Sequence, residues 1–233
     1  MKRYRGRWRI MAIRRICRKV ITIKKEISKI QESMQKGQFY LHCQYAIGIL
    51  EAKIKIIDEQ LSMKHNREII RSITDRIKSP ESIYAKLCRK GLEPDFALAL
   101  EHLNDLCGVR IVCLFLDDVY EIANILKKQK DITVIKEKDY IQNPKKNGYM
   151  SLHLLLAMPV CFGEKLETRT VELQIRTIAM DFWSVLEYQL LYKKNRVGTE
   201  KAEKATKKLK TYSEEIAALD EKMMKLRNRI DEI

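Results

Sequence analysis

The phrase RTVELQIRT, residues 169–177, sets a carboxylate among side chains that could work beside it. Read with a period of two, Val171, Leu173 and Ile175 share one face, and Glu172, Gln174 and Arg176 the other. The apolar set belongs to a core. The polar set either faces water, as the outer side of a half-exposed sheet does, or lines a site. A second acid, Asp105, stands just before another apolar run in the phrase NDLCGVR. Two acids at neighbouring strand ends can hold a hard divalent cation through oxygen ligands. By themselves, an Asp and a Glu 67 residues apart are slender evidence.

A cationic stretch precedes them: RSITDRIKSPESIYAKLCRKG, residues 71–91. Ser79-Pro80-Glu81-Ser82 has the form of a helix start, with Ser79 as N-cap, Pro80 at the first position and Ser82 near the free amides. Arg76 and Lys78 lead into it, Lys86, Arg89 and Lys90 follow on the helix, and Gly91 ends it. A helix N-terminus flanked by cations suits a polyphosphate. There is no G-x-x-x-x-G-K-[ST] loop, so side chains would have to grip the phosphates. The plainer reading is a solvated basic helix.

Between residues 138 and 153 the chain reads KDYIQNPKKNGYMSLH. Pro144 and Asn147-Gly148 mark a loop or tight turn. It is either a hairpin tip kept soluble by lysines, or a nucleotide pocket in which Tyr149 takes a base and the lysines take phosphates.

Alternating apolar and polar elements must position these residues. CGVRIVCLF (107–115), ITVIKEKDYI (132–141), SLHLLLAMPV (151–160) and RTVELQIRT read as strands. VYEIANILKKQ (119–129) reads as a helix, as does IAMDFWSVLEYQLLYKK (178–194), with Trp183, Leu186, Leu190 and Leu191 on its buried side. Four strands separated by one helix and by turns suggest a mixed α/β or α+β sheet, not a doubly wound one. A helical pattern covers about residues 39–65. Ile13, Ile16, Val20, Ile23, Ile27, Ile30 and Met34 form a narrow seam near the N-terminus, and Leu209, Tyr212, Ile216, Leu219, Met223, Leu226, Ile230 and Ile233 form another at the end. Such seams fit subunit contacts and intramolecular helix packing equally. The expected organisation is a basic leader and amphipathic helix over 1–38, a central domain over 39–194, and an amphipathic helix over 195–233 suited to oligomerisation or to packing within the chain.

The net charge of +15 is concentrated: residues 1–25 hold eleven Lys or Arg and no acid, which leaves +4 on the other 208 residues. A basic arm that touches RNA is one reading of it, and a solvated arm the plainer one. Met11 reads equally well as a start, with the first ten residues an upstream extension. No apolar run approaches the roughly 20 residues that span a bilayer, so no membrane contact is expected. Six scattered cysteines without a C-x-x-C pair argue against zinc or disulfides and for a reducing cytoplasm.

In order, RIKSPESIYAKLCRKG, NDLCGVRIV, KDYIQNPKKNGYMSLH and VELQIRTIAMDFWSVLEYQLLYK resemble the synthetase domain of the Rel/Spo-type alarmone enzymes, the GTP pyrophosphokinases that make (p)ppGpp. The resemblance covers about residues 40–194. Long members also carry a hydrolase domain with a His-Asp signature; none of the four histidines here precedes an Asp, so a small single-domain synthetase is expected. The resemblance implies an α+β, nucleotidyltransferase-like fold with a mixed sheet of about five strands flanked by helices, and makes residues 39–194 the catalytic domain. It also implies transfer of pyrophosphate from ATP to the 3′-hydroxyl of GTP or GDP. Tyr149 would stack on guanine, with Lys145, His153 and Gln174 around the acceptor and Asn147 shaping the loop. Arg76 and Arg110 would sandwich adenine, while Lys78, Ser82, Lys86, Arg89 and Lys90 grip the ATP phosphates. Asp105 and Glu172 would hold Mg²⁺, with Glu172 also taking the hydroxyl proton.

The resemblance further implies a homotetramer and leaves room for RNA or an alarmone as regulator. Met150 stands where small members usually carry Arg, and Tyr188 where the helix usually carries His. The rival readings are a nucleotide- or RNA-binding module without chemistry, and a toxin-like transferase with another acceptor. Paired acids among phosphate ligands count against the first.

Overall fold

The computed structural model describes residues 20–192 and 200–232. The chain forms two compact units, one of residues up to His42 with Ile77–Leu106, the other of Cys43–Arg76 with Cys107 onward. The first unit holds helix α1 (20–36), the opening turn of α2 (Phe39–His65), α3 (Pro80–Arg89) and α4 (Phe96–His102). Ile30 and Met34 of the N-terminal seam are buried, as are Ile83 and Leu87 of α3, and Phe39 meets Phe96 edge to face at 5.1 Å. Val20 is exposed, and Ile13 and Ile16 lie outside the described residues. The expected start of α3 is present: Ser79 Oγ accepts from the Ser82 amide, and Pro80 opens the helix.

The second unit carries β1 (Ile70–Ile77), β2 (Cys107–Cys113), α5 (Leu116–Lys127), β3 (Thr133–Asp139), β4 (Leu152–Phe162), β5 (Lys165–Thr177), α6 (Ile178–Glu187), a π-turn (Tyr188–Tyr192) and α7 (Glu200–Asp231). The strands form one mixed sheet in the order β1-β2-β5-β4-β3, with β2 and β5 parallel and the β5-β4 and β4-β3 pairs antiparallel. This is the expected five-stranded α+β arrangement. Val109, Ile111, Leu152, Leu154, Leu173 and Ile175 pair across three strands and are buried. The alternation that buries them delivers Gly108, Arg110, His153, Glu172, Gln174 and Arg176 to the opposite face. Edge strand β3 is exposed along most of its length and carries Lys136 and Lys138, which discourage further strand pairing.

The sequence reading misses β1. Ile69, Ile70, Ile73 and Ile77 recur at helical spacing, yet the segment is extended, with Ile70 donating its amide to Asp58 Oδ1 and Leu114 donating to the Ile69 carbonyl. The expected helix 178–194 also differs. It turns into the π-turn after Glu187, Trp183 and Leu191 are buried, and Leu186 and Leu190 are exposed. The buried pair faces α7, where Ala202 and Leu209 complete a cluster and the Trp183 indole donates to the Leu209 carbonyl at 2.8 Å. No helix among the described residues is long and apolar enough to cross a membrane.

Candidate active site

The first unit gathers cations around one acid. Lys78 is 7 % exposed, and its ammonium donates to Asp105 Oδ2 at 2.8 Å, while Lys86 lies 2.7 Å from the same oxygen. Burial would push the Asp105 carboxyl up, but the two ammonium groups outweigh it and hold the carboxyl below its ordinary value. The other oxygen, Oδ1, is buried with no hydrogen-bond partner. A half-buried, ionised carboxylate with one unused, buried oxygen fits a hard cation. Ser82 and Arg89 are exposed on α3, and Lys90 donates to the His102 carbonyl at 3.0 Å.

The second unit holds the remaining expected residues. Register sets Arg110 beside Gln174 and Gln174 beside His153, a row across β2, β5 and β4. Gly108 pairs with Glu172; a Cβ there would lie 2.8 Å from the Glu172 carbonyl oxygen, so glycine is what lets the strands close at this point. His153 Nδ1 is 3.3 Å from Glu172 Oε1, and Gln174 Nε2 donates to Oε2 at 2.9 Å. His153 Nε2 lies 2.8 Å from the Tyr149 hydroxyl, which also accepts from Arg176 at 2.9 Å. Glu172 is therefore half-buried in a hydrogen-bonded cluster, not open to solvent.

The NG turn shapes the tyrosine's surroundings. Gly148 has φ +95, and a Cβ there would meet Ser213 Cβ at 2.9 Å, because α7 crosses the loop at this point. The Ser213 hydroxyl donates to the Gly148 carbonyl, and the Asn147 amide donates to Glu187. Lys145 places its ammonium 4.4 Å from the Tyr149 ring centre and 4.5 Å from that of Tyr140. Burial pushes the Tyr149 phenol up, and Arg176 only partly offsets this, so the hydroxyl keeps its proton. Ser151 is fully buried, donating to the Ile175 carbonyl. Met150 is buried as well.

Arg76 is exposed in β1, and Arg110 lies 3.7 Å from Asp181. The sequence reading left four contributors without a role: Gly108, Tyr140, Asp181 and Arg176. Period two had already put Arg176 on the polar face with Glu172. Among the described residues no group of three or more His, Cys, Asp or Glu could form a metal cage. A cation here would draw on few protein oxygens, with water and phosphate completing its shell, as Mg²⁺ commonly does.

Residues 75–197 match the family model described as the region found in RelA / SpoT proteins. The chain is 42 % identical over 187 residues to the GTP pyrophosphokinase YwaC of Bacillus subtilis, covering 80 % of this chain and 88 % of that protein. It is similar to the crystal structure of small alarmone synthetase 2 from Bacillus subtilis, with TM-score 0.71, 41 % identity and coverage of 81 % and 97 %. It is also similar to small alarmone synthetase 1 from the same organism bound to its product pppGpp, with TM-score 0.75, 32 % identity and coverage of 84 % and 98 %.

Proposed function

This chain belongs to the family of the region found in RelA and SpoT proteins, and from that premise we infer that it is a GTP pyrophosphokinase. It transfers pyrophosphate from ATP to the 3′-hydroxyl of GTP or GDP, giving (p)ppGpp and AMP. The observation that carries this reading is the unbroken chain Tyr149–His153–Glu172, with links of 2.8 and 3.3 Å, which ties an aromatic face for a purine to a carboxylate that can take a proton.

The acceptor's guanine stacks on Tyr149, worth about 1–3 kcal/mol, with Lys145 displaced from the ring toward phosphate oxygens. Gln174 and His153 orient the ribose. Arg76 and Arg110 hold adenine, and Lys78, Ser82, Lys86, Arg89 and Lys90 hold the donor phosphates. The 3′-oxygen attacks the β-phosphorus of ATP, its proton passes to Glu172, and the bond from that phosphorus to the α–β bridging oxygen breaks to release AMP. Holding both substrates in line removes most of the entropic barrier, and the lysines offset charge that shifts toward the leaving oxygen. Asp105 and Glu172 would hold Mg²⁺, which supplies further neutralisation of the polyphosphate.

We place the enzyme in the cytoplasm, in keeping with described cysteines that are all free thiols, and propose a homotetramer for which α7 supplies a surface. A regulatory nucleotide, alarmone or RNA is compatible with the basic leader. The test is incubation of the purified chain with ATP, Mg²⁺ and labelled GTP or GDP. The expected product carries a guanosine 3′-diphosphate, and its absence with both acceptors would overturn the reading.

A further inference from the structure

Arg176 has no part in the scheme above, yet it is the largest fully buried side chain described, 2 % exposed. Burying a guanidinium is costly unless its donors are met; here Nε has no partner, and both terminal nitrogens are engaged. Nη2 donates to the Tyr149 hydroxyl and to Gln174 Oε1, both at 2.9 Å, and Nη1 donates to Asp181 Oδ1 at 3.3 Å. A guanidinium can only donate, so it sets the direction of every hydrogen bond beyond it. The Tyr149 oxygen, already accepting from Arg176, turns its own hydrogen to His153 Nε2. With Nε2 accepting, the imidazole proton sits on Nδ1 and points at Glu172 Oε1. The opposite tautomer would set a nitrogen lone pair against a carboxylate oxygen. In the other branch, Gln174 Oε1 faces Arg176, which leaves Nε2 to donate to Glu172 Oε2. Both branches end on the same carboxylate, one on each oxygen.

We propose that Arg176 is a positioning residue for the acceptor side of the reaction, fixing the Nδ1–H tautomer of His153, the amide orientation of Gln174 and the Tyr149 hydroxyl so that Glu172 receives two donors and remains the acceptor. Its kinetic consequence rests on the pyrophosphotransfer reading, while the tautomer does not. Removing the guanidinium loosens the groups assigned to the guanine nucleotide and reaches those assigned to ATP only through Asp181 Oδ1, which Arg176 shares with Arg110.

The experiment compares wild type with Arg176→Met, Arg176→Lys and Tyr149→Phe. Nitrogen-15 NMR of labelled histidine, with His153 assigned by its loss in His153→Asn, reads the tautomer without reference to activity. Wild type should carry the proton on Nδ1, and Arg176→Met and Tyr149→Phe should show a mixture. Displacement of positioning groups can cost on the order of 100-fold, so in Arg176→Met the ratio kcat/KM for the guanine nucleotide should fall about 10- to 100-fold, while KM for ATP stays within about twofold. Arg176→Lys should recover part of the loss, since an ammonium still donates to both branches. Should Arg176→Met not fold, Tyr149→Phe makes the same test, because it deletes only the hydroxyl.

A wild-type proton on Nε2, or a tautomer unchanged in both variants, would overturn the proposal. So would KM values for both nucleotides rising together in step with lost thermal stability, the mark of a merely structural arginine. A wild type that makes no product fails the pyrophosphotransfer reading instead, and the NMR result still judges Arg176.

Discussion

Both oxygens of Glu172 are engaged, Oε1 by His153 and Oε2 by Gln174, so the residue is sensitive to changes that preserve its size. In Glu172→Gln the amide would turn an N–H toward one of those donors. The variant loses the proton acceptor, and kcat should fall about 10²- to 10⁴-fold. It also leaves a half-buried donor unmet, at a cost of about 1–3 kcal/mol in stability. Steady-state kinetics and a thermal melt on the same sample check both; a variant with most of its turnover intact would remove Glu172 from the base role. Gly108 offers a subtler test, because its substitution changes no charge. A methyl group 2.8 Å from the Glu172 carbonyl must push β2 and β5 apart. Gly108→Ala should therefore lower kcat on the order of ten- to a hundredfold by misplacing a carboxylate it does not alter, and unchanged kinetics would show that the glycine only serves strand packing.

Between elements, α7 is docked partly through a buried acid. Asp220 accepts from the Thr177 hydroxyl at 2.6 Å, and Thr177 in turn caps α6 by accepting from the Met180 amide. Burial pushes the Asp220 carboxyl above its ordinary value, and the Thr177 bond only partly offsets this. A carboxyl that titrates higher folded than unfolded binds its proton more tightly when folded. Its charged form then costs stability, by an amount that grows as pH rises from the unfolded value near about 3.9 through the folded one. Asp220→Asn keeps an acceptor for Thr177 and removes that cost. Its urea midpoint should exceed that of wild type at pH 7, with the difference closing as pH falls toward about 4; a pH-independent difference would assign the effect to packing.

Legibility in the sequence followed local signals. Helix Phe39–His65, the Ser79-Pro80 start and the alternating strands β2, β4 and β5 were readable because propensity and pattern agree there. β1 was not, since its isoleucines repeat at helical spacing and its pairing is decided by partners remote in sequence. The ordered motifs disclosed most of the candidate site residues. That Arg176 is buried and not solvated, and that Ser151 faces inward, depends on which elements cover them, which no local pattern states.

At the scale of the whole molecule, α7 presents a face that the described residues do not cover. The face it turns inward is lined by Ala202, Leu209, Ser213 and Asp220, small or polar for the most part and buried against the rest of the second unit. Arg227 fastens the far end by pairing with Asp117 and lying over Phe115. The apolar seam legible in the sequence points mainly the other way: Leu219 is 60 % exposed, Met223 51 %, Leu226 50 % and Ile230 59 %. A row of large apolar side chains at steps of three and four, left in water, is the pattern of a helix that meets a second helix. Because the intramolecular contacts mostly use different residues, a pair of substitutions can separate the two roles. In light scattering on a sizing column the wild-type chain should run at a multiple of its own mass, with four copies expected. Met223→Glu with Leu226→Glu should shift it to smaller species while leaving the Trp183–Leu209 packing intact, which tryptophan fluorescence reads. If the wild type runs as a single chain at micromolar concentration, the exposed seam has some other occupant and the homotetramer is wrong.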